Sequence, residues 1–288
     1  MNKSRRSKSV ILALIPAVML FLLLGAGLLG CGLSEAQEHY NAGVKFHEQG
    51  NFQAALAEYN QAIELDSTHA KAYGNRGTIY ARQGDQEKAL ADFNRAIELD
   101  PKLAPPYANR GNLYMQRMEL EKALADLNMA IDLDAEDEKA YAFRGTLYAG
   151  KGEFDKALAD LDRALELDPS FAKAYSIRGQ VYRDRGDFDK AVVEYGRAIE
   201  LNPSDGDAYF NRGYVHAMNG NLNEASLDFT RAIELNPSSV KAYLTRGAVY
   251  FDQGKKAEAI EDLQKVLELE PSGDMANAAK ELLADLTR

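Results

Sequence analysis

Residues 70–103 read AKAYGNRGTIYARQGDQEKALADFNRAIELDPKL, and this stretch decides the fold. Ala72, Tyr73, Gly77 and Tyr80 recur every three or four residues, which places them on one face of a helix. Gln83-Gly84-Asp85 then breaks the pattern. Glycine takes a left-handed turn without steric cost, and Asp85 stands where a side chain caps the next helix. Ala89, Leu90, Phe93, Ala96 and Ile97 form a second apolar stripe of helical period. Asp100-Pro101 ends it, because proline disfavours helical geometry in the residue before it. The small residues Gly77, Ala89 and Ala96 let the two helices approach closely. The stretch therefore predicts a helical hairpin.

The hairpin recurs along the chain with a period of 34 residues and no gap. Arg-Gly returns at Arg76-Gly77, Arg110-Gly111, Arg144-Gly145, Arg178-Gly179, Arg212-Gly213 and Arg246-Gly247, with Ala42-Gly43 one period earlier. Seven periods run from Ala36 to Gly273. A fixed period in this range is the mark of a solenoid. The organisation expected is a leader over residues 1–31, a short linker over 32–35, seven repeats over 36–273, and a final segment over 274–288. That last segment places Met275, Ala279, Leu282, Leu283 and Leu286 on one helical face, with Lys280, Glu281 and Asp285 outward. It fits a cap over the apolar end of the seventh copy, which repeat arrays need for solubility.

The pattern of Tyr73, Gly77, Tyr80, Ala89, Phe93, Ala96 and Pro101 resembles the tetratricopeptide repeat (TPR) family, and it recurs in all seven copies. Copy three departs most, with Met118 at the turn glycine and Ala135 at the proline; copy one has His39 for the aromatic residue and Ser67 for the proline. The resemblance implies an all-α, right-handed superhelical solenoid of seven helix-turn-helix repeats. It also implies a concave groove, lined by the first helices, in which a peptide or protein segment lies. The family's usual leucine before the glycine is arginine in six copies here. One helix on, every copy carries an acid: Glu58, Asp92, Asp126, Asp160, Glu194, Asp228 and Asp262. A half-buried arginine needs such a partner, so the two columns are expected to pair at the hairpin seam. The alternative is an arginine ladder for an anionic ligand.

Charge narrows the functional classes. The chain carries a net charge of -10, but its first 30 residues hold four cations (Lys3, Arg5, Arg6, Lys8) and no acid. The remainder therefore carries -14, which works against binding nucleic acid phosphates and against flat adsorption on an anionic membrane. The single cysteine excludes an internal disulfide and a cysteine-based zinc site. From Val10 to Gly30 no charged or strongly polar side chain occurs, a run about long enough to cross a bilayer. Cations before this run and acids after it (Glu35, Glu38) predict export of the repeats. Leu28-Leu29-Gly30-Cys31 resembles the lipobox of bacterial lipoproteins, which implies cleavage before Cys31 and acylation of its thiol. An uncleaved signal anchor and ordinary cleavage are the alternatives. Each places the repeats in the cell envelope on the extracytoplasmic side, with lipid on Cys31 or an uncleaved helix as the membrane anchor.

Two sets of residues are candidates for contacting a partner. One groove column reads Asn41, Asn75, Asn109, Phe143, Ile177, Asn211 and Thr245. Its four asparagines resemble the ladder by which some family members hold a peptide backbone, since a carboxamide both donates and accepts. The other reading is a run of solvated polar residues. The neighbouring column (Tyr40, Gly74, Ala108, Ala142, Ser176, Phe210, Leu244) lacks the Lys and Arg with which chaperone-binding members clamp a carboxylate. Phe210, Tyr214 and Met218 share one helical face, with Leu244 and Phe251 on the next first helix, all outside the packing pattern. They are read either as an apolar contact patch or as residues that cover one another or pack under the terminal helix.

No catalytic constellation emerges. The four histidines (His39, His47, His69, His216) share no ligand spacing, and no phosphate loop or nucleophile elbow is present. The carboxylates recur with the period, as caps and solvated faces do. The expectation is a binding scaffold with no cofactor and no metal, not an enzyme. A self-assembling envelope component and an accessory module for a polysaccharide or small ligand are the alternatives.

Overall fold

The computed structural model describes residues 34–287, in which fifteen α-helices follow one another. The leader and Cys31 lie outside the described residues. The chain forms two compact units, divided after Leu99. The first holds α1 (Glu35–Glu48), α2 (Phe52–Leu65), α3 (Ala70–Arg82) and α4 (Gln86–Leu99). The second begins with α5 (Ala104–Gln116), α6 (Leu120–Leu133), α7 (Glu138–Gly150), α8 (Phe154–Leu167), α9 (Ala172–Arg185) and α10 (Phe188–Leu201). It continues with α11 (Gly206–Met218), α12 (Leu222–Leu235), α13 (Val240–Asp252), α14 (Lys256–Leu269) and α15 (Asp274–Thr287). Within each unit the odd helices up to α13 pair with the next to form hairpins, and each hairpin stacks on its neighbour.

The hairpins close as their turn residues dictate. Gly50, Gly84, Gly152, Gly186, Gly220 and Gly254 all sit at φ between 72° and 87°, the left-handed region. Met118 occupies the equivalent turn at φ 59°, a conformation that strains a side chain bearing a β-carbon. Asp85 caps α4 by accepting from the Lys88 amide at 3.2 Å, as its position in the sequence predicts. Asp137 and Asp205 cap α7 and α11 in the same way. Inside each hairpin the small residues set the separation. A β-carbon added to Gly77 would stand 2.8 Å from the Phe93 ring, and one on Gly43 would stand 2.5 Å from Tyr59. Ala55, Ala62, Ala89 and Ala96 are fully buried.

The terminal helix α15 packs on α14 and α13 and buries Ala276, Ala279 and Leu286. Met275, expected on this face, is 37% exposed, and Ala276 takes its place. The helix starts after Gly273 at φ 115°, and Met275 in its first turn lies at the edge of the packed face, which otherwise keeps the expected residues. Leu282 and Leu283 are partly buried against the same cluster, and Lys280, Glu281 and Asp285 face outward as expected.

Candidate functional site

The arginine column pairs with the acid column in every copy that has both. Arg144 Nε donates to Asp160 Oδ2 at 2.8 Å and its Nη2 to Asp160 Oδ1 at 2.8 Å. Arg76 grips Asp92, Arg110 grips Asp126, Arg212 grips Asp228 and Arg246 grips Asp262 with the same two-pronged geometry. Arg178 reaches Glu194 with both Nε and Nη2 on one oxygen. The hydrogen bonds it donates to Asp160 raise the Arg144 pKa against the opposing effect of burial. Copy one lacks the arginine, and His39 Nδ1 lies 2.6 Å from Glu58 Oε2 in its stead. Strict matching of donors to acceptors makes this ladder architecture. Its two prongs are already occupied by the chain's own carboxylates.

The asparagine column divides into different situations. Asn41 is exposed and accepts from Gln37 Nε2 at 2.9 Å. Asn75 Nδ2 donates to Tyr59 Oη at 3.3 Å and Tyr40 Oη at 3.4 Å, so it serves its own tyrosines. Asn109 and Asn211 are half-buried; Asn109 is engaged within the chain, whereas no hydrogen bond of the Asn211 carboxamide is seen among the described residues. Within the second unit Phe143 and Ile177 stand between these two. The structure does not assemble the four into one uniform row.

Tyr59 and Tyr195 are repeat equivalents, and both rings are wholly buried against a first-helix glycine, Gly43 and Gly179. Burial pushes each phenol up to about 12. The Tyr59 hydroxyl has Asn75, which offsets part of that rise; the Tyr195 hydroxyl has no partner. Ser176 stands where copy one has Tyr40, and its Oγ is likewise buried without a partner.

The apolar patch splits in two. Phe210 stacks on Tyr214 with ring centroids 6.4 Å apart and tilts against Phe229 at 5.4 Å, with Lys241 Nζ over its face at 4.5 Å. Tyr214 is 41% and Met218 49% exposed. With Phe210, Arg183 and Asp184 they line a cleft of about 500 Å³ between α9 and α11. Arg183 and Asp184 pair with each other at 2.7 Å, so the rim of this cleft is close to neutral. Leu244 and Phe251 belong instead to the cluster in which Ala279 and Leu286 of α15 are buried. The expected five-residue patch is therefore a cleft lining of exposed Tyr214 and Met218 with half-buried Phe210, and a two-residue packing contact, because α15 covers the end of the array.

The histidines are dispersed as their spacing predicts. His69 accepts from the Ala72 amide at 3.2 Å and lies against Tyr40, and His47 meets Phe52 edge-on. Among the described residues no group of three or more His, Cys, Asp or Glu side chains could hold a metal ion. Among the same residues no helix is long and apolar enough to cross a membrane.

Comparison with known proteins follows this geometry. The family described as "Tetratricopeptide repeat" matches residues 70–103, 138–171, 206–239 and 240–272, and the related "TPR repeat" matches 43–84 and 179–220. Copy three, with its Met118 turn, falls in neither set. YrrB, a TPR protein with an unusual peptide-binding site, is 31% identical over 66% of this chain and 97% of its own, with a TM-score of 0.53. A tetratricopeptide repeat protein from Parabacteroides merdae is 25% identical over 88% of this chain and 99% of its own, with a TM-score of 0.60. PilF of Pseudomonas aeruginosa shares the fold at 17% identity and a TM-score of 0.66, covering 76% of this chain and 98% of its own. No curated protein matches the chain. The chain belongs to the tetratricopeptide repeat family. It is a scaffold fold suited to protein or peptide partners.

Proposed function

We propose that this protein is an exported, membrane-tethered scaffold that holds a peptide or protein segment against its first helices. The observation that carries the reading is the Phe210–Tyr214–Met218 face on its cleft between α9 and α11, in which Phe210 is half-buried and Tyr214 and Met218 are exposed. Tyr214 and Met218 spend apolar area on solvent although the packing positions of α11 are already filled by Ala208, Gly213 and Val215. Aromatic side chains in a concave site are what most often anchor a bound segment. The neutral rim favours a segment with an apolar anchor over a strongly charged one. The likeness to YrrB supports a peptide ligand, and the dispersed histidines and periodic carboxylates support binding without catalysis. The basic residues followed by the apolar run of Val10 to Gly30, ending at Cys31, support tethering.

Two measurements test the reading. A random twelve-residue peptide library is selected against the intact chain, and the recovered peptides are measured against Phe210→Ala and Tyr214→Ala. Loss of about ten-fold or more in affinity is expected for each, the worth of one hot-spot aromatic. Peptides that bind both variants like the parent chain would move the site elsewhere. Intact mass of the protein expressed with its native amino terminus, alongside Cys31→Ser, addresses the tether. Loss of residues 1–30 with a lipid-sized gain, abolished in the variant, is the outcome expected for a lipoprotein.

A further inference from the structure

The ladder arginines have a third nitrogen, and for Arg76, Arg144, Arg178 and Arg246 it reaches back to the second helix of the preceding hairpin. Arg76 Nη1 donates to Asn60 Oδ1 at 2.7 Å and Arg144 Nη1 to Asn128 Oδ1 at 2.8 Å. Arg178 Nη1 meets Asp162 Oδ1 at 2.6 Å, and Arg246 Nη1 meets Thr230 Oγ1 at 2.8 Å. For Arg212 the corresponding position is Gly196, where even an added β-carbon would stand 3.8 Å away. Arg212 Nη1 thus lacks the acceptor its counterparts have. Its side chain is 26% exposed, against 15% to 19% for the other five arginines.

A second column turns apolar and larger in the same two copies. Ala57, Ala91, Ala125 and Ala159 occupy an outward position on the second helices of copies one to four, copies five and six carry Val193 and Leu227 there, and copy seven carries Glu261. These are 68% and 71% exposed. Val193 is one turn from Gly196 on α10, and Leu227 adjoins Asp228 on α12. A lone exposed leucine is unremarked on a protein surface. Here two apolar enlargements stand on the same two second helices as Gly196 and Asp228, beside the guanidinium that among the described residues lacks its third acceptor.

We propose that the outer faces of α10 and α12 form a second protein-contact surface, separate from the groove. Its occupant is a segment that presents a carboxamide side chain between apolar residues. The carboxamide oxygen accepts from Arg212 Nη1, as Asn60 and Asn128 do for Arg76 and Arg144, and its apolar neighbours cover Val193 and Leu227. The chain's own copies thus supply the template for the ligand. A neutral acceptor is preferred, because three of the four internal acceptors (Asn60, Asn128 and Thr230) are neutral, with Asp162 the exception, and Asp228 already matches the charge of Arg212 at 2.7 and 2.8 Å.

The test uses the blocked tripeptides Ac-Leu-Asn-Leu-NH2, Ac-Leu-Ala-Leu-NH2 and Ac-Leu-Asp-Leu-NH2, titrated into the intact chain in detergent. Binding is read by NMR from the Arg212 guanidinium N–H signals. The asparagine peptide is expected to bind about ten-fold or more tighter than the alanine peptide, the worth of one hydrogen bond to a charged group. Gly196→Asn, which restores the internal acceptor, abolishes that preference. Val193→Ala with Leu227→Ala, the residue of copies one to four, weakens both peptides alike. Tyr214→Ala changes neither, which separates this surface from the groove. Equal affinity for the asparagine and alanine peptides overturns the proposal, as does a preference that survives Gly196→Asn. Tightest binding of the aspartate peptide would make the surface an anion site and overturn it as well.

Discussion

Tyr59 and Tyr195 occupy the same position in copies one and five, and removing their hydroxyls has opposite consequences. Both rings lie wholly buried against a glycine of the facing helix, and phenylalanine preserves that packing. At Tyr59 the hydroxyl accepts from Asn75 at 3.3 Å. That bond is long, and Asn75 is half-buried and keeps Tyr40, so Tyr59→Phe costs about 0.5–1 kcal/mol. At Tyr195 the hydroxyl is buried with no protein partner, and the folded state bears its desolvation without a compensating bond. Tyr195→Phe removes that burden and stabilises by about 1–2 kcal/mol. The two variants should therefore differ by about 2 kcal/mol although the substitution is identical. A repeat array unfolds through neighbouring units, so the readout is local: amide hydrogen exchange of α2 and α10 alongside urea unfolding fitted with nearest-neighbour coupling. If Tyr195→Phe speeds exchange in α10 as much as Tyr59→Phe does in α2, the Tyr195 hydroxyl has a favourable partner and the reasoning fails.

Other predictions rest on separate features. A double-mutant cycle on Arg144→Leu and Asp160→Leu should give a coupling of about 1–3 kcal/mol, since the pair is two-pronged and mostly screened from water; additivity would reduce the ladder to coincidence. Met118→Gly relieves a left-handed side chain and should raise stability by about 1 kcal/mol, seen as slower exchange at the ends of α5 and α6. Gly196→Asn should stabilise the second unit by about 1 kcal/mol through a new bond to Arg212 and better helix propensity, measured as a higher urea midpoint. Buried phenols bind their protons more tightly in the folded chain than in the unfolded one. Their stabilisation is intact below pH about 10 and is lost as pH rises towards about 12. Urea midpoints across that interval should fall, and fall less steeply in the Tyr59→Phe, Tyr195→Phe double variant.

The fold is legible because its rules are written in nearly every copy. Turn glycine, small residues at the helix contact, and the arginine with its acid sixteen residues on each recur, so an exception such as Met118 stands out against the rest. The site is less legible because its residues depend on what the adjoining copy offers. Asn75 looks like a ligand-binding amide until Tyr40 and Tyr59 are seen to occupy it, and no spacing rule announces that. The third bond of each arginine goes to a column that varies among Asn, Asp and Thr, so periodicity does not flag its loss at Gly196. Leu244 and Phe251 look free because they lie off the packing stripe, but α15 supplies a neighbour that no repeat predicts. His39 replaces an expected aromatic residue, and its pairing with Glu58 is visible only once the absence of an arginine at Ala42 is set beside it.

The backward reach of the arginines has a mechanical consequence within the second unit. Arg144, Arg178 and Arg246 each fasten a hairpin to the one before it, in parallel with the helix contacts, so tension along the array is shared between a soft apolar interface and a stiff polar staple. Between copies five and six the staple is missing. Under a pulling force this join is the compliant one: it extends first and recoils last, and the Phe210 cleft lies at that same join, between α9 and α11. A ligand seated there would stiffen the weakest spring in the unit, and the array would report occupancy as resistance to stretching.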